Sequence, residues 1–385
     1  MRVLLAPALL LVAPTFAEKK VITSPGGVRS ASPLSAAIEA DGFLYVSGMV
    51  GRDTKGQFAR GDVPAQTRQV LDNIGAALKA AGVDFRHVVS TTVYIADVRT
   101  LPEADSVYRK FFPSDFPART VLESMLMAPE AIVEISAVAV KDLAQKRVLK
   151  PDGWAEPSGP FSHGVFGSST LFLSSLQGQG DTIQAQTESV LNRQNQLLQA
   201  AGLAFGDLVS TRIYLADPAQ YNAMNEIYRR FVTVAPPTRA TVHAQPVEPG
   251  SMIHIASVAV RDSGRNRPTG EGWTSPIHSY AVQAGRRLYI AGMTGRTQDG
   301  KFAVNDIKAQ TRQALASIDL QLKKFGMTFA DAVDCVVWLR DARHFAQMNE
   351  VYREYVKPDP PARATVRIPP TSSEGLIEVM MIAAK

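Results

Sequence analysis

The chain has 385 residues, 45% hydrophobic and 20% charged, enough to bury two or three ordinary cores and too apolar for a disordered chain. Its single cysteine, Cys335, excludes an intramolecular disulfide and any thiolate-rich zinc or iron–sulfur site. The net charge of +5 is scattered and forms none of the dense basic runs of a nucleic-acid arm, so no nucleic-acid partner is expected.

Arg2, the apolar run over 3–12 and the small-residue site ending at Ala17 read as a secretory signal peptide over 1–17. That run is too short to span a bilayer, and no later stretch approaches about 20 apolar residues, so a secreted or periplasmic chain off the membrane is expected after cleavage. Leu44-Tyr45-Val46-Ser47 then reads as a short strand, with Lys55-Gly56 as a turn before a second. Asp62 can cap a helix with Pro64 in its first turn, and Val70, Ile74, Leu78 and Ala81 follow at helical spacing until Gly82 ends it. Residues 88–95 are β-branched and predict a central strand. Leu101, Ala104, Val107, Tyr108 and Phe111 share one face of a second helix. Two closing strands, about 119–125 and 132–140, complete a ββαβαββ unit of the α+β class, with helices on one face of a mostly antiparallel sheet.

This unit occurs three times. Gln66-Thr67, Gln186-Thr187 and Gln310-Thr311 recur in constant register with Asp97, Asp217 and Asp341, with Tyr108-Arg109, Tyr228-Arg229 and Tyr352-Arg353, and with Arg119, Arg239 and Arg363. The predicted organisation is a leader over 1–17 and units over 18–146, 147–264 and 265–385. The open face of each sheet needs cover, which three tandem units provide by closing around a pseudo-threefold axis. The polar joints at 146–153 and 264–272 read as surface connections, each docked by the tryptophan after it, Trp154 or Trp273.

In each unit a proline stands two residues before an arginine at the start of a closing strand, giving Arg119, Arg239 and Arg363. Fifteen residues later stands Glu134, His254 or Glu378. If the two closing strands pair as a hairpin, guanidinium and carboxylate face one another at a cleft between units. The arginine offers a planar fork for a carboxylate, and the glutamate can polarise a water for addition to a carbon–nitrogen double bond. A cross-strand ion pair is the purely structural alternative. No phosphate loop or nucleophile elbow is present, His243 and His254 make too few ligands for a metal site, and Cys335 reads as a small core residue.

The strand at 44–48, Ala65-Gln66-Thr67-Arg68, Thr92-Val93-Tyr94-Ile95-Ala96-Asp97, Phe116-Pro117-Ala118-Arg119 and Val133-Glu134-Ile135 resemble the RidA (YjgF, endoribonuclease L-PSP) family, three times over. The resemblance implies chorismate-mutase-like domains forming an intramolecular pseudo-trimer, monomeric as a chain, with clefts between units. It implies hydrolysis of small enamines and imines such as 2-aminoacrylate to a keto acid and ammonia, with no metal or cofactor. Residue by residue, it assigns carboxylate binding to Arg119, Arg239 and Arg363 and water activation to Glu134 and Glu378, with His254 as the base in unit 2. Asn225, Asn349 and Ser47 also match family positions and join the substrate-binding set.

Unit 1 departs with Asp105 for the asparagine, and unit 3 with Ala291 for the serine. The family's tyrosine is replaced by Leu34, Phe161 and Ile277, its cysteine by Val121, Thr241 and Thr365, and unit 2 has a shortened first hairpin. If one unit supplies both charged partners and its neighbour a wall, units 1 and 3 hold the competent sites. The expected activity is deamination of a small carboxylate-bearing substrate. The alternatives are a non-catalytic carboxylate-binding module and an endoribonuclease.

Overall fold

A computed structural model describes residues 19–23, 32–59, 61–112, 114–261 and 275–385. The expected leader, the joint at 264–272 and Trp273 lie outside the described residues. Unit 1 contains β1 (Lys20–Ile22), β2 (Ala37–Ala40), β3 (Phe43–Val50), α1 (Val63–Ala80), β4 (Val88–Ile95), α2 (Leu101–Phe111), β5 (Ala118–Glu123), β6 (Met125–Leu126) and β7 (Val133–Val140). Unit 2 contains β8 (Lys146–Leu149), β9 (Gly164–Gly167), β10 (Thr170–Gln177), α3 (Ile183–Ala200), β11 (Leu208–Leu215), α4 (Tyr221–Phe231), β12 (Thr238–His243) and β13 (Ile253–Val260). Unit 3 contains β14 (Ala281–Ala284), β15 (Arg287–Thr294), α5 (Ile307–Lys324), β16 (Ala332–Leu339), α6 (Phe345–Tyr355), β17 (Ala362–Arg367) and β18 (Ile377–Ala384).

Local chemistry places the elements. The Asp62 side chain accepts a hydrogen bond from the Ala65 amide at the start of α1, and Gly82 (φ 74°) lies just past its end, where a left-handed residue stops a helix. The first hairpin turns at Asp41-Gly42, both at positive φ, and joins β2 to β3. The second strand therefore precedes 44–47 rather than following Lys55-Gly56, where only an isolated bridge, Arg52 to Phe58, forms.

The three sheets run β1-β2-β3-β7-β4-β5, β8-β9-β10-β13-β11-β12 and β14-β15-β18-β16-β17-β6. The closing strands do not form a hairpin. β4 lies between β5 and β7, parallel to the first and antiparallel to the second, and β11 and β16 do the same in their units. His243 and His254 accordingly lie on strands separated by β11, against Leu215 and Tyr214. The joint at 146–153 is only partly a surface connection, because its first half is β8, paired to β9 with Leu149 buried. Trp154 packs against the unit 2 core.

Each helix pair covers one face of its sheet over an apolar core. The other faces meet at the centre, where Tyr94 and Leu122, Tyr214 and Val242, and Trp338 and Val366 come from three units into one cluster. The ring closes through three matching contacts: β5 against β10, β12 against β15, and β17 against β3. β6 of unit 1 extends the unit 3 sheet by pairing with β17. Cys335 is buried in the core between the unit 3 sheet and its helices, and burial pushes its thiol up to about 12.

Candidate active sites at the unit interfaces

The strand order separates Arg119 from Glu134 within unit 1, and each arginine instead meets the acid position of another unit. At the first cleft Arg363 of unit 3 faces Glu134 of unit 1. Its amide donates to Ser47 Oγ (2.8 Å), Ser47 donates to the Ser35 carbonyl (2.6 Å), and Ser35 donates to the Pro360 carbonyl (2.6 Å), stitching the units together. The guanidinium, 1% exposed, stands 4.6 Å from the Tyr352 ring centre and donates Nη2 to Asn349 Oδ1 (2.8 Å). Its Nε and Nη1 are buried without a protein partner. Glu134 receives the Thr365 amide, and burial, partly offset by Arg363 and that hydrogen bond, raises its carboxyl to about 8. Gly48 makes this possible: a Cβ there would lie 1.9 Å from Glu134 Oε1.

The second cleft joins Arg239 of unit 2 to Glu378 of unit 3. Arg239 donates to Asn225 Oδ1 (2.7 Å) and to the Tyr221 hydroxyl (3.0 Å). Glu378 receives the Thr241 amide, and burial raises it to about 8 against that hydrogen bond and the Arg239 charge. Gly292 clears its carboxyl as Gly48 does at the first cleft. Ala291 has no hydroxyl to receive the arginine's amide.

The third cleft is made differently. The Arg119 amide donates to Ser174 Oγ (2.7 Å), but both Nη groups are held by Asp105, at 2.7 and 3.2 Å, so the fork already carries a carboxylate. Across it stands fully buried His254, bonded through Nδ1 to Ser175 Oγ (2.7 Å) and pushed by burial to about 3, a neutral ring. Ser175 stands where Gly48 and Gly292 stand in the other units.

The expectation that one unit supplies both charged partners is therefore corrected. Units 1 and 3 do not each own a site, and the departures Asp105, Val121, His254, Ser175 and the shortened hairpin all fall on one interface. The register also corrects the third counterpart of Leu34 and Phe161. Ser35, Ser162 and Ser279 make equivalent bonds to Pro360, Phe116 and Pro236, so the residue before Ser279 is the counterpart, His278 rather than Ile277. Gly48, Gly292, Tyr221 and His278 escaped the sequence reading. Thr241 and Thr365 entered it only as a lost cysteine, yet both present buried, unpartnered hydroxyls beside the glutamates. The paired change of glycine to Ser175 and glutamate to His254 was the available signal. Among the described residues no group of three His, Cys, Asp or Glu side chains is placed to hold a metal, and no helix is long and apolar enough to cross a membrane.

The family model for endoribonuclease L-PSP matches residues 27–141, 155–261 and 274–385. The chain belongs to this family. Among its family relatives, the human protein named 2-iminobutanoate/2-iminopropanoate deaminase is 36% identical over 124 residues, 32% of this chain and 90% of that protein. A RutC family protein of Pyrococcus horikoshii is 37% identical over 125 residues, 32% of this chain and 99% of its own length. One match extends beyond a single unit of the family fold: a chorismatase crystal structure covers 78% of this chain and 93% of its own at a TM-score of 0.53 and 15% identity, a likeness of fold.

Proposed function

We propose that the chain hydrolyses small imines and enamines bearing a carboxylate, releasing a keto acid and ammonia, at the Arg363/Glu134 and Arg239/Glu378 clefts. The observation that carries this reading is the buried Arg363 fork, its Nε and Nη1 unpaired, opposite a carboxyl held protonated at neutral pH. The unpaired Nη1 group binds the substrate carboxylate. An enamine enters as its imine tautomer, its nitrogen proton moved to the β-carbon; Glu134 gives its proton to the imine nitrogen, and the resulting carboxylate takes one from the water that adds to the carbon, forming a carbinolamine. Glu134 then protonates the amine and recovers the hydroxyl proton as the carbon–nitrogen bond breaks. Water has thus supplied the oxygen of the keto acid and two hydrogens of the ammonia. The relatives whose names specify iminobutanoate and iminopropanoate support this chemistry.

The test is hydrolysis of imines generated in situ by an amino-acid oxidase. Arg363→Ala/Arg239→Ala is expected to fall to the spontaneous rate while Arg119→Ala keeps most of the activity. Activity that survives the double substitution, or is lost with Arg119, sinks the assignment. The leader-like composition of residues 1–17 supports an exported protein, and a secreted product whose mass begins at Glu18 is the outcome that checks it.

A further inference from the structure

The two arginine–glutamate clefts differ around their arginines. The residue that starts the helix over the guanidinium is Phe345 at the first and Tyr221 at the second. The Phe345 ring centre lies 6.0 Å from Arg363 Cζ and offers no acceptor, whereas the Tyr221 hydroxyl accepts from Arg239 at 3.0 Å. Opposite, the residue before the bridging serine is Leu34 at the first cleft and His278 at the second. The His278 ring packs edge-on to Tyr280 with centres 4.9 Å apart, and its Nδ1 bonds Ser275 Oγ at 2.9 Å. Burial and the Arg239 charge hold His278 at about 3, so it offers hydrogen bonds and no positive charge.

An apolar rim leaves a polar substrate side chain without partners, and a hydroxyl–imidazole rim loses its own partners to an aliphatic one. We infer that the two clefts divide substrates by side-chain polarity. The Arg363/Glu134 cleft takes aliphatic carboxylates, and the Arg239/Glu378 cleft takes those ending in a hydroxyl or similar hydrogen-bonding group. The inference rests on the deaminase reading above for its chemistry, though not for its binding preference. Fusion of three units permits it, since identical subunits would carry identical clefts.

Norvaline and homoserine give imines that differ by a methyl against a hydroxyl. With the full chain, Glu134→Gln is expected to lower the norvaline-to-homoserine rate ratio about fivefold, the worth of one hydrogen bond, and Glu378→Gln to raise it as much. Equal ratios in the two variants overturn the division. Titrating 2-oxopentanoate and 4-hydroxy-2-oxobutanoate into Arg363→Ala and Arg239→Ala needs no turnover. Opposite preferences support the division even if no imine is hydrolysed, which would sink the deaminase reading alone; identical preferences overturn it. Tyr221→Phe/His278→Leu keeps both arginines and is expected to erase the difference, and a difference that survives counts against the rim as its cause.

Discussion

A glutamate that folds into a dry cleft sets a pH limit on both stability and chemistry. Glu134 and Glu378 are raised from the ordinary 4.5 to about 8, chiefly by burial. Each is therefore neutral in the fold at a pH where the unfolded chain has already lost the proton. The stability that these neutral carboxyls contribute is complete below about pH 4.5 and is lost as pH rises to about 8. Glu134→Gln removes that titration. It is expected to be about as stable as the parent at pH 4.5 and more stable than the parent at pH 9, by on the order of a few kcal/mol. Calorimetry at the two values decides it, and a variant equal to the parent at pH 9 would mean that Glu134 ionises freely. The same proton serves the imine nitrogen, so hydrolysis is expected to decline above about pH 8. Gly48→Ala brings a Cβ against Glu134 Oε1 and is expected to lower the norvaline-to-homoserine rate ratio as Glu134→Gln does, with the fold retained, as read by circular dichroism beside the rates. Arg363 and Glu134 were visible in the sequence as polar residues recurring on apolar strands. Gly48 was not, because a glycine in a strand is marked as necessary only by what stands opposite.

At the scale of elements, β10 and β13 of unit 2 carry a linked pair of changes, Ser175 and His254. His254→Glu alone would direct a carboxyl at the Ser175 Cβ; in the other units the glutamate oxygen stands 1.9 and 2.0 Å from where a Cβ on the glycine would be. This substitution is expected to cost about 1–3 kcal/mol from overpacking, and Ser175→Gly added to it to recover most of the loss. Paired melting curves measure the coupling, and additive effects would show the two positions to be independent. The helices and Val88–Ile95 were legible because caps, 3.6-residue spacing and β-branching are local signals. The insertion of β4 between β5 and β7 was not. Strand order is a non-local choice, and the parallel β4–β5 pair is linked through α2 with no turn to announce it. That one misplacement moved every acid away from its own unit's arginine, which is why the site residues were recognisable and their partnership was not.

For the whole molecule, the repeats alone would allow three units of one chain to close on themselves or to exchange with units of another. One pole of the ring fixes the order of its units. The hairpin turns at Asp41-Gly42, Ser168-Ser169 and Gly285-Arg286 converge there around Arg287. Arg287 of unit 3 is buried, ion-paired to Asp41 of unit 1 (2.9 Å), bonded to Thr170 of unit 2 (2.8 Å) and placed 4.6 Å from the Phe43 ring centre. No other unit has an arginine there, since Phe43 and Thr170 hold the matching strand starts. The contact can therefore form in only one arrangement, so it specifies which unit sits beside which. Light scattering of the purified protein is expected to give the mass of one chain. Arg287→Leu leaves Asp41 only the more distant Arg286 (3.8 Å) and breaks a bridge among all three units, at a cost of about 1–3 kcal/mol. Because that loss falls on the joints rather than on any one core, the variant's calorimetric transition should broaden and its light-scattering mass should rise with concentration. An unchanged, sharp transition at the parental temperature would show that the apolar centre alone fixes the order of the ring.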